Sequence, residues 1–440
     1  MNTLLQQRGI MVVVTRAVLV VPSTTYRADG FFRAAASMGI EVAIASDADL
    51  AIGAMRAAGS RAKSGALGVV KVCLEDPEGA ADVIERFARS TPLDAVVGVD
   101  ERAGMVANAA AMRLGLPHNP PGAIAASRDK IAMRAAAARG GINQPELRVV
   151  TTVDDAREAA RSIGLPCVVK PASLSGSRGV IRVDEERDLP GTLERVRKVL
   201  AAAGEDPCSP VLLEKFVPGA EVAVEGILDG GRLLPIAVFD KPDPLDGPYF
   251  EETLYVTPSR HEPAVLRRVL DAAEAAALAL GLERGPVHAE LRIDRGQPFF
   301  IELAARSIGG YCSRSVVAEG SWTLEELILS NALGWELPSL PEDSAQLVSG
   351  ASGVMMIPIA RSGVLQSVEG LVSARSVPMV TEVTIAVHSG QPVVALPEGD
   401  RYLGFIFARG PSAAEVEGAI RDAYAELDIR IVDVPGPIVE

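Results

Sequence analysis

Two acidic residues, Glu290 and Glu302, stand in a segment whose pattern can bring them together: VHAELRIDRGQPFFIELAA, from Val287 to Ala305. Val287, Ala289, Leu291 and Ile293 alternate with His288, Glu290, Arg292 and Asp294, the period-two signature of a strand with one buried face. Asp294, Arg295, Gly296 and Gln297 supply turn residues, and Pro298 to Ala304 reads as the returning strand. A three-residue loop, Arg295 to Gln297, sets Asp294 opposite Pro298 and therefore Glu290 opposite Glu302. The two carboxylates then share one face of a ladder, with Cβ atoms roughly 5 Å apart. Like charges so placed repel. A divalent cation between them removes the repulsion, because magnesium is held by one or two carboxylates and completes its shell with water and phosphate oxygens. A solvated pair satisfies the same pattern, as does a register one residue off, so the pair alone leaves both readings open.

Further candidates lie upstream. A helix is predicted from Ser127 to Arg139, capped by Ser127 and closed by Gly140 and Gly141, with Lys130 in its first turn. A lysine there opposes the helix macrodipole, a placement that a phosphate partner explains and a solvated lysine also fits. Cys167 to Lys170 is a short apolar strand ending in lysine, followed by Pro171 and the loop ASLSGSRG, Ala172 to Gly179. Small, glycine-punctuated loops turn successive backbone amides toward a phosphate. No Gly-Lys-Ser/Thr follows, and a flexible hairpin tip is the alternative.

The elements that must carry these residues fall into a recognisable series. Up to about residue 120 strand and helix alternate, with strands at Val12–Val21, Glu41–Ala45, Gly68–Val72 and Asp94–Val99, which predicts a mostly parallel sheet. The loop Pro22 to Arg27 and the pair Asp100 and Glu101 sit at the carboxyl ends of those strands, where open α/β sheets bind ligands; ordinary strand-end loops look the same. Beyond the Ala172–Gly179 loop come a helix from Leu189, strands at Val211–Phe216, Val222–Ile227 and Arg232–Phe239, a proline-rich surface loop from Asp240 to Tyr249, and a helix from Pro263 to Leu280. The last hundred residues show strands Val354–Pro358 and Thr381–Ala386 and a final helix, Ala413 to Leu427.

Composition narrows the class. A chain of 440 residues with 43 Lys and Arg against 57 Asp and Glu has a net charge of −14, which argues against a nucleic-acid surface. The four cysteines show no CxxC spacing, so neither zinc nor a disulfide scaffold is indicated, and a reducing cytoplasm fits. No apolar run reaches the roughly 20 residues that span a bilayer, and no secretion signal is apparent, so no membrane partner is expected.

Taken in order, Asp129–Lys130, VVKP at Lys170, the small-residue loop, EKFVPGAE (Glu214 to Glu221), HAELRID and FIELAAR resemble the ATP-grasp superfamily of carboxylate-amine ligases. The C-terminal stretches ELAARSIGGYCSR, VMMIPIARSGVLQSVEGL and VALPEGDRYLGFIFARG resemble its bacterial L-amino acid ligase branch. The fold this implies is α/β and α+β: an N-terminal Rossmann-like parallel-sheet domain (1–120), a two-lobe ATP-grasp domain (121–344, small lobe about 141–210) and a small α+β C-terminal domain (345–440).

The resemblance also implies roles. Lys130 and Lys170 contact ATP phosphates, and the loop with Ser173, Ser175, Gly176, Ser177 and Gly179 closes over them. Glu214, Lys215 and Val217 meet adenine, and Glu221 the ribose hydroxyls. Glu290 and Glu302 hold Mg²⁺ or Mn²⁺. Arg306 and Lys170 are the catalytic pair, Arg306 anchoring a carboxylate or acyl phosphate. Glu252, Tyr255, Arg306, Gly309 and Gly310 line the substrate pocket, with Tyr255 where the branch often has His. The family's Glu-x-Asn-x-Arg is here Glu302-Leu-Ala304-Ala-Arg306, so Asn is replaced by Ala304, and water or His288, expected opposite Ala304, supplies the missing contact. The implied reaction activates a small-molecule carboxylate and joins it to an amine, both most simply amino acids. Alternatives are a purine-biosynthetic or biotin-carboxylase-like enzyme, and a catalytically weak nucleotide-binding protein. A homodimer is compatible with the C-terminal segment.

Overall fold

In a computed structural model, the structure describes residues 14–23, 25, 27–48, 67–309, 311–316, 322–340, 345–348 and 350–433. They form two compact units: residues up to His118 with Ala332–Trp335, and Asn119–Asn331 with the chain from Glu336 onward.

In the first unit, strands β1 (Arg16–Val20), β2 (Glu41–Ser46), β3 (Gly68–Lys71) and β4 (Ala95–Gly98) form a parallel sheet of order β3-β2-β1-β4. Val18, Val20, Ala43 and Val96 pack against Ala80, Ile84, Val106 and Ala110 from the helices Pro77–Ala88 and Glu101–Leu114. Asp100, a strand-end candidate, caps the second of these helices: its carboxylate accepts from the Ala103 amide at 3.0 Å. Val12 and Val13 of the expected first strand lie outside the described residues.

The second unit holds two sheets that matter for chemistry. The smaller is antiparallel, β5 (Leu147–Val150), β6 (Cys167–Pro171), β7 (Ile181–Val183) and β8 (Val211–Lys215) in the order β5-β8-β6-β7. Helices Val153–Ile163 and Leu189–Ala202 bury Ala156, Ala160, Leu193 and Val196 against it. The larger sheet has the order β13-β12-β9-β10-β11-β14-β18-β16. Its strands are β9 (Ala220–Asp229), β10 (Arg232–Lys241), β11 (Leu254–Thr257), β12 (Gly285–Asp294), β13 (Gln297–Ala304), β14 (Ala351–Ile357), β16 (Val380–Ile385) and β18 (Gly404–Gly410). A third sheet joins β15 (Gly363–Glu369), β17 (Pro392–Val393) and β19 (Asp428–Val432). Because β11 pairs with β14, strands β14, β18 and β16 extend the larger sheet, and Leu254 and Val256 share one core with Met355, Ile406 and Val416.

Two local expectations are corrected. The turn between β12 and β13 has two residues, not three: Asp294 faces Gln297, with Arg295 and Gly296 both at positive φ (49° and 76°). That alone shifts the register by one. A bulge between Glu290 and Leu291, where Ile301 is the extra residue, shifts it back, so Glu290 does face Glu302 and His288 faces Ala304. The second correction concerns the helix carrying Lys130, which begins at Lys130 itself. Its cap is Asp129, accepting from Ile131 and Ala132, while the Ser127 hydroxyl donates to the Ile124 carbonyl. An ionised carboxylate at the N-terminus satisfies two amides and favours the dipole, which a serine cannot match.

Candidate active site

Lys130 leaves the helix start and lies buried between two elements. Its amide donates to the Ala172 carbonyl at 3.1 Å, its ammonium to the Leu174 carbonyl at 2.7 Å, and Nζ stands 3.0 Å from Glu302 Oε1. The glycine-punctuated loop is therefore tethered at its root to the lysine and, through it, to β13. Ser173, Ser175 and Gly176 are exposed at its tip, and Ser177 is half-buried at φ 57°. Gly179, at φ +69°, tolerates no side chain: a Cβ would lie 2.9 Å from Pro171 Cγ. Its amide donates to the Pro397 carbonyl at 2.9 Å.

Behind the loop, Lys170 near the end of β6 and Glu214 on β8 stand diagonally across the ladder, Lys170 opposite Leu212 and Glu214 opposite Val168, and form a 2.8 Å ion pair. Arg134 reaches the same carboxylate through Nε at 2.7 Å and Nη2 at 3.0 Å, while Nη1 donates to the Phe300 carbonyl at 2.6 Å. Burial pulls the Lys170 ammonium down to about 8, with Glu214 opposing. Burial disfavours the charge of Glu214 too, but Arg134 and Lys170 outweigh it and hold the carboxyl below its usual range. Lys215 donates to the Leu165 carbonyl at 3.1 Å and Val217 is buried. Between them Phe216 lies under Arg182 and Arg292, whose guanidinium carbons are 4.5 and 5.0 Å from the ring centroid.

The second cluster centres on Lys241, which sequence reasoning missed. β10 runs on through Asp240 and Lys241 into what the prolines suggest is an exposed loop, and both residues are buried. Lys241 Nζ lies 2.7 Å from Glu221 Oε1, 2.7 Å from Glu252 Oε1 and 3.0 Å from Glu290 Oε1, and 5.0 Å from the centre of the Tyr255 ring. Burial works against the ammonium, but the three carboxylates raise it well above the ordinary lysine value. Burial lifts Glu252 to about 7, with Lys241 opposing and Glu290 reinforcing. Glu290 itself, despite burial, is held well below the usual range by Lys241 and His288. Tyr255 packs edge-on against Phe239, with ring centres 5.9 Å apart. A cavity of about 480 Å³ opens beside Lys241, bordered by Glu221, Asp240, Asp246, Arg260 and His261.

Arg306 and Gly309 follow β13, with Arg306 Nη1 donating to the Ser307 carbonyl at 3.1 Å; Gly310 lies outside the described residues. Arg134, Lys241, Glu225 and Arg292 are buried groups that the sequence did not single out.

Two carboxylates on one face of a hairpin, each already matched to its own lysine, provide hard oxygen donors of the type magnesium takes. The residues fit such an ion. Among the described residues, one group of acids, Glu221, Glu252 and Glu290, has ligand atoms all within 4.8 Å of one another.

The small antiparallel sheet carries Lys170 and the larger sheet carries the paired acids Glu290 and Glu302, and the chain contains ATP-grasp domains by its match to their family models. Residues 163–315 match the family model for the ATP-grasp domain and 32–118 that for the ATP-grasp N-terminal domain, while 355–432 match L-amino acid ligase C-terminal domain 2. Among relatives, the alanine–anticapsin ligase of Bacillus subtilis is 30% identical over 249 residues, 53% of this chain and 52% of that enzyme. The carbamoyl phosphate synthase large chain of Thermus thermophilus is 29% identical over 227 residues, 51% of this chain and 20% of that protein. The chain spans about half the length of the ligase and a fifth of the synthase. The crystal structure of an L-amino acid ligase from Bacillus licheniformis superposes with a TM-score of 0.78 at 27% identity, covering 95% of this chain and 99% of that one. No helix among the described residues is long and apolar enough to cross a membrane.

Proposed function

We propose that this chain is a ligase that uses ATP to activate a substrate carboxylate as an acyl phosphate and joins it to an amine, with amino acids as both partners. The observation that carries the reading is the pairing of Glu290 with Glu302 across the hairpin, with Lys130 3.0 Å from Glu302 and the Lys170 ammonium buried on the facing sheet. The family and the L-amino acid ligase type of the C-terminal region support the choice of substrate class.

In this reading Lys130, Lys170 and the loop from Ser173 to Gly179 take the phosphates. Glu214 contributes by holding Lys170, because its carboxylate is already filled by Arg134 and that lysine. Lys215 and Val217 border the adenine, and Glu221 turns from Lys241 to the ribose. Glu290 and Glu302 hold magnesium or manganese, which when bound neutralises phosphate oxygens. The substrate carboxylate attacks the γ-phosphorus and ADP leaves; the amine then attacks the carbonyl carbon and phosphate leaves. Arg306 orients the carboxylate and neutralises the acyl phosphate through its planar fork. Glu252, Tyr255, Gly309 and Gly310 border the substrate. Positioning and charge neutralisation suffice for such chemistry, and no nucleophilic side chain is required.

The test is ADP and phosphate release from Mg-ATP with amino acids singly and in pairs. Release that needs a pair, and a product of the summed mass less water, supports the reading. Ala304 favours one rival, a nucleotide-binding protein with little turnover; tight Mg-ATP binding without release for any pair would establish it.

A further inference from the structure

His288, Glu290, Glu302 and Ala304 make a square on one face of the hairpin. His288 faces Ala304 and Glu290 faces Glu302, and residues two apart on a strand point to the same side. Three corners carry polar groups and the fourth, buried, carries a methyl that can neither donate nor ligate. Across from the methyl, the buried imidazole of His288 has Nε2 3.3 Å from Glu290 Oε1 and Nδ1 3.3 Å from Glu225 Oε2. Glu225, opposite His288 on β9 and wholly buried, accepts the Ile308 amide at 3.1 and 3.0 Å. A continuous run therefore leads from the backbone two residues past Arg306, through Glu225 and His288, to Glu290.

We infer that His288 is a positioning residue for the metal-binding acid: it fixes the Glu290 carboxylate in place of the polar side chain that Ala304 does not supply, and Glu225 fixes the imidazole. The inference rests on the metal assignment proposed above. Glutamate has three side-chain torsions, and a ligating carboxylate free to turn about them binds an ion poorly; bonds from neighbouring groups set its direction. Glu302 has Lys130 for this purpose, and Glu290 has Lys241 and His288, both at its Oε1. Both ring nitrogens of His288 are directed at carboxylates, which suits an orienting group rather than a ligand. Because Glu225 also holds the Ile308 amide, the same bonds tie the direction of Glu290 to the segment that carries Arg306.

The experiment is manganese binding to the full chain in the presence of ADP, followed by the electron paramagnetic resonance of free Mn²⁺, with no turnover involved. His288→Ala should weaken Mn²⁺ binding by at least about tenfold while leaving metal-free ADP binding unchanged. The pair Glu225→Gln with His288→Leu should weaken it likewise, and leaves no buried carboxylate without a cation if His288→Ala fails to fold. Adding Ala304→Asn to His288→Ala should restore most of the affinity. Unchanged Mn²⁺ affinity in the His288 variants, or a loss that Ala304→Asn does not repair, overturns the positioning role. If the unaltered chain binds no Mn²⁺ with ADP, the metal assignment itself falls and this inference with it.

Discussion

Arg134 and Glu214 meet through a two-bond fork in the protein interior, Nε to Oε1 at 2.7 Å and Nη2 to Oε2 at 3.0 Å, and Lys170 completes the group at 2.8 Å from Oε2. One carboxylate thus serves two cations on a helix and a neighbouring strand. Removing it strands two buried positive charges, which is the costly way to break such a group. Glu214→Leu should lower the free energy of unfolding by about 3 to 5 kcal/mol in denaturant titrations. A loss under about 1 kcal/mol would mean that Arg134 and Lys170 find other partners.

Lys170 gives a pH signature. Its ammonium faces Glu214 on β8, Arg134 on the Lys130–Arg139 helix and Glu302 on β13, and burial brings it to about 8. An anionic nucleotide binds the protonated form, so affinity for ADP without metal should hold below pH 8 and fall as pH rises through it. Lys170→Arg, charged throughout this range, should abolish the fall in calorimetric titrations. The sign for the free protein is opposite. Its folded value lies below the unfolded one, the unfolded chain binds more protons between them, and this lysine's contribution to stability therefore grows from pH 8 toward the ordinary lysine range. A flat affinity profile in the unaltered protein would count against a phosphate role for Lys170.

How much of this is legible in the sequence follows from what each pattern constrains. The meeting of Glu290 with Glu302 can be read because strand alternation and turn residues limit the register to a residue or so. The turn length cannot, since Arg295 adopts a positive φ its type disfavours, and the bulge at Ile301 leaves no mark in the apolar pattern. The parallel sheet of the first unit is legible because β1, β2 and β4 are buried apolar runs that alternate with helices. Arg134 is not: in KIAMRAAAAR an arginine among alanines looks solvated, and its partner is 80 residues away. Lys241 opens a proline-rich stretch that reads as surface, and only the pairing of β9, β10 and β12, which brings up Glu221 and Glu290, together with the return of the chain at Glu252, reveals that three acids converge on it. Glu225 is hidden for the same reason, because β9 is covered on both faces and its alternation has no exposed side.

Tyr255 offers a test of specificity. It lies within the sheet beside Lys241 and edge-on to Phe239, where the branch this chain resembles often carries His. On the substrate role proposed for Tyr255, Tyr255→His removes a phenol that borders the substrate, so the relative kcat/KM of competing amino acid pairs should change by about tenfold or more. Phosphate release across a panel of pairs measures it. An unchanged ranking would remove Tyr255 from the determinants of substrate choice.

Lys241 is the group on which the acidic cluster depends. Glu221, Glu252 and Glu290 can lie within 4.8 Å of one another in the free protein because the ammonium stands among them. Lys241→Met keeps most of the buried chain and deletes the charge, leaving carboxylates whose mutual repulsion only protons or another cation can relieve. The variant should melt at a lower temperature than the unaltered protein near neutral pH, and millimolar Mg²⁺ should raise its melting point more than it raises that of the parent. Differential scanning calorimetry with and without Mg²⁺ compares the two. Equal responses to Mg²⁺ would show that the vacated cluster takes up no ion and that protons alone relieve its repulsion.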